Sequence, residues 1–322
     1  MQSLLLSLLF GACAAGNRAP APLRLDRAIA LPEVEGRIDH LAFDPHSGRL
    51  FVAALGNGTV EVVDVGSNKV VGRVTGLQEP QGIVVLPAGA AFAVACGGDG
   101  TCRLFAIDSL APLASIAFDS DADNLRLEPR TGRLFVAHGQ ALGAVDSKGG
   151  KLFEVALASH PEAFQLEPGS DRVFVNVPGA RQIAVVDLKT RKVQAQWPLS
   201  AGANFPLALA AERQRLYVAC RQPARLLAFD TTTGRETAAV DCIGDADDLF
   251  YDAARQRLYL AGGDGSIDVF AAGAGDELHL VARVPTAAGA RTALLVPERH
   301  ELFVAVPHRG ASRAEIRVFA VD

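Results

Sequence analysis

The chain has little of what marks a nucleic-acid binder, a membrane-spanning protein or a thiolate metal protein. There is no dense run of Lys or Arg, and 31 basic residues stand against 36 acidic ones, for a formal charge of −5. Such a balance offers no basic patch to a phosphate backbone, so nucleic acid is not expected as a partner. Only five cysteines occur, and no C-x-x-C, which leaves out the common thiolate motifs. Trp occurs once. Helical periodicity is missing too: the apolar residues come in short β-branched and aromatic runs. Past the first residues nothing resembles a membrane span.

What is present is an ordinary globular composition, 49% hydrophobic and 21% charged, with ample apolar material for a large core. The opening "MQSLLLSLLFGACAAGNRAPAP" reads differently. A short apolar run, small residues and a polar linker suggest a secretory leader over 1–15, followed by a linker over 16–22. The run is too short to span a bilayer as a helix, and no Lys or Arg precedes it. "ACA" at Ala12–Ala14 suits ordinary release. "LFGAC" resembles a lipobox that would place a lipid on Cys13, and the Ala-, Pro- and Asn-containing linker tips the reading that way. The expected location is therefore the periplasm or the outer membrane, with membrane contact only through a lipid anchor.

From residue 23 onward the chain repeats. "GRLFVAAL", "AAFAVAC", "GRLFVAHG", "DRVFVNVP", "QRLYVACR", "QRLYLAGG" and "HELFVAVP" place an aromatic at Phe51, Phe92, Phe135, Phe174, Tyr217, Tyr259 and Phe303. The intervals average about 42 residues, the length of a propeller blade. Each copy has a short apolar run, a turn often opened by Asp-Pro or Glu-Pro, the aromatic strand, a hairpin that is often Gly-rich, and two more strands. Pro presets φ for the turn and the acid can bond the backbone two residues on. Asn-Gly and Asp-Gly supply the positive φ of tight hairpins. Four short strands per unit predict an all-β, seven-bladed β-propeller as one domain over 23–322. The last copy ends on its third strand, "IRVFAVD". The unclaimed "LRLDRAIA" from Leu23 supplies the missing fourth and closes the ring, removing open edges.

Blade one, "GRLFVAALGNGTVEVVDVGSNKVVGRVTGLQEPQGIVV", resembles the YVTN repeat of exported bacterial YncE-like propellers. The matching stretches are Leu50–Val52, Thr59–Asp64, Ser67–Val71 and Pro80–Gly82, with Ala53–Ala54 where the signature has Thr-Asn. The resemblance covers nearly all of 23–322, with declining fidelity after blade one. It implies the seven-bladed fold and a binding scaffold whose partner is unassigned; fold alone does not give function. The Gly-His and Trp-Asp punctuation of WD40 repeats is absent, and the single Trp197 does not suit the Trp motifs of quinoprotein propellers.

The first residues of the inner strands should ring one mouth of the central channel. By alignment they are Asp39–His40, Gln81–Gly82, Asp123–Asn124, Glu162–Ala163, Phe205–Pro206, Asp247–Asp248 and Arg291–Thr292. With their entry loops they are rich in acid, opposed by Arg37 and Arg291, with His40 and His160 near. One reading is an acidic funnel for cations, Ca²⁺ or Mg²⁺, held by oxygens from several blades. The other is a set of solvated loop acids. Asp39 and His40, adjacent on a strand, should face opposite ways, which counts against a general-base dyad. His160 and Glu162, two apart, can share a face. The expected ligand-binding set is Asp39, His40, Asp123, Asn124, Glu162, Asp247, Asp248 and Arg291. The expected protein is monomeric, non-enzymatic and takes an unknown small molecule or protein. A metal-dependent hydrolase or lyase, lactonase-like or streptogramin-lyase-like, and an envelope-complex adaptor are the alternatives.

Cys96 and Cys102 flank a hairpin of blade two, and Cys220 and Cys242 fall in blade five. In an oxidising compartment the pairs 96–102 and 220–242 are expected, the first only if a bulge rotates Cys96 toward Cys102.

Overall fold

Among the described residues twenty-eight strands form seven separate sheets, each of four antiparallel strands, arranged as the blades of a propeller. The computed structural model describes residues 21–86, 90–146, 148–273, 275 and 277–322. The expected leader, Cys13 and the expected linker up to residue 20 lie outside the described residues.

Closure follows the expected route. Leu23–Ala30 pairs with the final strand Glu315–Val321, from Leu23↔Val321 to Ala30↔Glu315, so the two ends of the chain share blade seven. The core is not one mass. It divides into seven apolar clusters, one in each interface between neighbouring blades. This is why the strands read as almost continuous apolar runs: both faces of a blade are covered. The acid-Pro turns behave as expected as well. Asp44 accepts the N–H of His46 at 3.1 Å and of Ser47 at 3.1 Å.

All seven repeat aromatics are buried, but one occupies a different place from its counterparts. Phe51 is the third residue of its strand, as are Phe135, Phe174, Tyr217, Tyr259 and Phe303. Phe92 is the second residue of Ala91–Cys96, and Ala93 holds the equivalent position. The spacing 51, 93, 135 is thus an even 42, and the 41 and 43 of the sequence alignment came from a one-residue offset. A shift of one residue turns a side chain to the other face. Phe92 accordingly packs back on Phe51, the rings tilted with centroids 4.5 Å apart, within the blade one–two interface.

The same alternation undoes both disulfide pairs. Ala95 faces Cys102 across the hairpin while Cys96 faces Thr101. Cys96 therefore packs toward blade one and Cys102 toward blade three. Cys220 packs toward blade four and Cys242 toward blade six. All four are free, buried thiols. Burial pushes them up, Cys96 to about 11 and Cys220 and Cys242 to about 12, so they are inert core residues rather than reactive thiolates.

Candidate functional site: the mouth of the central channel

The inner strands begin irregularly, and that irregularity builds the site. In blade one Asp39 N–H donates to the carbonyl of Ala53 at 2.7 Å, and Ala53 N–H donates to the carbonyl of His40 at 3.1 Å. Two residues thus oppose one. Glu162 and Ala163 oppose Asn176 in the same manner, both bonds at 3.0 Å. In blades two, three, five and six the strand register slips at the matching place, between Pro80 and Ile83, Ala122 and Leu125, Asn204 and Leu207, and Ala246 and Asp248. These are β-bulges, which re-aim side chains at the rim of a sheet. The expectation that Asp39 and His40 face apart rested on regular alternation, and the bulge cancels it. His40 Nε2 lies 3.5 Å from Asp39 Oδ1.

Close approach is needed for the ring to fit. A Cβ on Gly82 would press on the carbonyl oxygen of Asp123 and stand 3.0 Å from the backbone nitrogen of Leu125. Blade three's inner strand therefore passes where only glycine leaves room.

The mouth is a cavity of about 340 Å³ lined by fourteen residues: Arg37, Asp39, His40, Leu55, Glu79, Gln81, Asp121, Asp123, His160, Glu162, Phe205, Arg221, Asp247 and Arg291. Of the expected ligand-binding set, Asp39, His40, Asp123, Glu162, Asp247 and Arg291 line it. Asp248 lines the channel just below, and Asn124 is buried beside it. The lining holds six carboxylates, three arginines and two histidines. The funnel is thus not simply acidic, and the basic residue missing from the sequence expectation is Arg221. Its guanidinium stacks 3.8 Å from the centroid of Phe205 and binds Asp247 at 2.6 Å. A larger hollow of about 630 Å³ lies at the side, on the outer strands of blades one and two. Its charged lining is Arg73 and Arg103.

Charge divides the mouth in two. On the side of blades one, five, six and seven both acids of the lining, Asp39 and Asp247, have an arginine. Arg37 binds Asp39 at 2.6 Å, and Arg291 binds Asp247 at 2.9 Å and Asp245 at 3.0 Å. Burial and the nearby Asp39 push Asp247 up to about 6, while Arg221, Arg291 and His40 pull it back. On the side of blades three and four Asp123, His160 and Glu162 offer three ligand atoms within 4.8 Å of one another. Among the described residues neither Asp123 nor Glu162 forms an ion pair with Arg or Lys. Burial first, and then Asp123, push the Glu162 carboxyl up to about 8. Burial lowers His160, but its bond to Asp123 and the charges around it raise it to about 9.

His40 answers to three blades. Its Nδ1 lies 3.3 Å from Asp248 of blade six, and its Nε2 lies 3.3 Å from the Asn124 amide nitrogen of blade three. The Asn124 oxygen is taken by Arg126 at 3.0 Å, so the amide presents N–H to the ring. That contact favours a neutral imidazole. Burial also disfavours the charge, yet Asp248 and then Asp39 outweigh both and lift the ring to about 10. A nearby opposite charge in a shielded site is worth more than one neutral hydrogen bond. Asp248 also accepts the N–H of Ala293 at 2.8 Å, fixing blade six to blade seven. Below, Arg126 reaches into the channel without a carboxylate partner among the described residues, and burial lowers its pKa.

No protein-family model matches the sequence, and no curated protein does. Solved structures are similar in shape. A chain of Kuenenia stuttgartiensis hydrazine synthase matches with a TM-score of 0.75 at 17% identity, over 90% of this chain and 98% of that one. A chain of the mitotic checkpoint complex matches with a TM-score of 0.78 at 12% identity, over 100% and 99%. The WD40 repeats of RRP9 match with a TM-score of 0.80 at 10% identity, over 92% and 97%. At such identities the likeness carries the fold alone: this is a seven-bladed β-propeller of WD40-like shape.

Proposed function

We propose that this is an exported, YncE-like binding propeller whose ligand is a small polar molecule held at the channel mouth. One observation carries the reading. The heads of the inner strands, their entry loops and Arg221 bring charged side chains from all seven blades into one cavity of about 340 Å³. Pockets with a few convergent polar groups and shifted pKa values are the default binding sites of a fold. The ligand's anionic group would face Arg37, Arg221 and Arg291.

The test is a thermal-shift panel of small carboxylates, phosphates and amino acids on the full chain and on Arg291→Ala. A true ligand at a hundredfold excess over its Kd should raise Tm by about 4 °C. That rise should vanish in the variant. Rises that survive Arg291→Ala, or no rise across the panel, would count against the mouth.

An enzymatic reading has one observation in its favour, the convergence of Asp123, His160 and Glu162. It would make the protein a metal-dependent hydrolase or lyase. The adaptor reading needs a concentrated apolar flank. The exposed large apolar residues Leu25, Val71, Leu113, Leu152, Leu280 and Val281 are instead spread over the outer strands of five blades, as scattered surface residues commonly are.

A further inference from the structure

Five basic side chains share the mouth, yet the arginines all serve one side of it. Asp123, nine-tenths buried, receives no arginine or lysine among the described residues, and its near cation is the imidazole of His160, with Nε2 at 3.7 Å from Oδ2. Glu162 joins the same corner. Two carboxylates and an imidazole share a half-shielded recess that no arginine or lysine of the described residues enters, and a metal ion there would take the place of their protons.

The donor geometry suits a metal. A tetrahedral ion with bonds of about 2.1 Å sets adjacent donor atoms about 3.4 Å apart. The 3.7 Å between His160 Nε2 and Asp123 Oδ2 is close to that. The full set, within 4.8 Å, needs only a small inward turn of a side chain. Asp121 Oδ2, 3.8 Å from His160 Nε2, stands where a fourth oxygen could come from.

A second observation concerns the other ring nitrogen. His160 Nδ1 lies 2.9 Å from the carbonyl oxygen of Gly139. A carbonyl can only accept, so Nδ1 carries the hydrogen, and Nε2 is the atom left to face the acids. Metal-bound histidines are oriented in this way, by donating the remote N–H to a backbone carbonyl or carboxylate. The backbone holds the ligands from two blades: Asp123 sits on the bulge of blade three, and Glu162 on the bulge opposite Asn176.

We propose that Asp123, His160 and Glu162 bind one divalent first-row transition-metal ion at the blade three–four corner of the mouth. The imidazole shifts the preference away from the Ca²⁺ or Mg²⁺ of an all-oxygen site. This deepens the reading of the mouth as the binding site, because such an ion would present an open position toward the cavity and the arginines opposite.

The test uses the full chain, stripped with chelator and dialysed, titrated with Zn²⁺ and separately with Co²⁺. One Zn²⁺ per chain is expected, with visible d–d absorption for Co²⁺ in its place. Asp123→Asn, His160→Gln and Glu162→Gln should each weaken Zn²⁺ by about a hundredfold or more, the upper end of what outer-shell losses cost. His279→Ala, exposed on an outer strand of blade six, should bind as wild type. No stoichiometric binding, or binding that survives all three substitutions, overturns the proposal. Should a variant fail to fold, the wild-type nitrogen spectrum decides. Zn²⁺ must move His160 Nε2 while Nδ1 stays protonated; an unmoved Nε2 overturns the site. A small-ligand hit lost in Arg291→Ala while no metal binds removes this proposal and leaves the mouth reading standing. Metal bound with no hit does the reverse.

Discussion

The two halves of the mouth spend their charge differently. Across blades one, five, six and seven the acids are neutralised by fixed arginines, and Asp247 sits between Arg221 and Arg291 at 2.6 and 2.9 Å. Across blades three and four Asp123 and Glu162 lean on a histidine and on each other. The first half is a closed network that holds blades together. The second is an open one that can accept a cation. A buried pair costs much when one partner is removed, whereas two like charges crowd each other and lose little when one is neutralised. On the proposed reading the same residue types serve structure on one side and cation capture on the other.

The largest effect should come from breaking the closed half. Asp247→Ala removes the more buried of the two carboxylates that Arg221 and Arg291 share, leaving them Asp245 at 3.5 and 3.0 Å, and should cost about 3 kcal/mol or more, read as a lower urea midpoint. A loss below about 1 kcal/mol would show that solvent already screens the network.

Gly82→Ala tests the backbone crossing between the halves. Its Cβ meets backbone rather than a movable side chain, so a loss of about 2–3 kcal/mol is expected, again by urea unfolding. An unchanged midpoint would mean that the inner strands of blades two and three can part.

His40 lies on the boundary. Its folded pKa, about 10, is above the usual value of 6.5. Its contribution to stability is therefore complete below pH 6.5 and is lost as the pH rises toward 10. Unfolding measured at pH 7 and 10 should show wild type losing about 1–3 kcal/mol more than His40→Gln. Asp248→Asn should lower the ring's pKa by about one unit or more, followed by NMR titration. A ring that is neutral at pH 7.5 in wild type would mean that the Asn124 amide, not the acids, sets its state.

The smallest effect belongs to the open half. Glu162→Gln keeps the shape and replaces a carboxyl that burial and Asp123 already hold largely protonated near neutral pH, so stability should stay within about 0.5 kcal/mol or rise slightly. A loss as large as that of Asp247→Ala would erase the distinction between the halves.

Much of this fold was legible. The repeat aromatics, the acid-Pro turns and the stray strand at Leu23 all announced seven blades and their closure. What the sequence concealed came from single-residue offsets. Ala93 rather than Phe92 fills the blade-two position because "AAFAVAC" carries its large residue one place early. Regular alternation was applied to Asp39–His40, where a bulge suspends it. The expected disulfides failed on the same alternation, which the strand keeps at Cys96 and Cys102. Arg221 escaped notice because it belongs to the second strand, not the ring. A signal was available: four residues past the strand's third position the seven blades read Leu55, Gly97, Gly139, Pro178, Arg221, Gly263 and Pro307, and only one is charged. The union of Asp123 with His160 and Glu162 was out of reach, since it depends on how two blades meet.

The central claim is that the mouth is a binding site rather than a decorated loop face. The most direct measurement maps a thermal-shift hit onto the protein by amide chemical-shift changes during titration. The account predicts changes centred on Arg37, Arg221, Phe205 and Arg291, and none at the side hollow around Arg73 and Arg103. Changes confined to the outer strands, with the mouth unmoved at saturation, would contradict it.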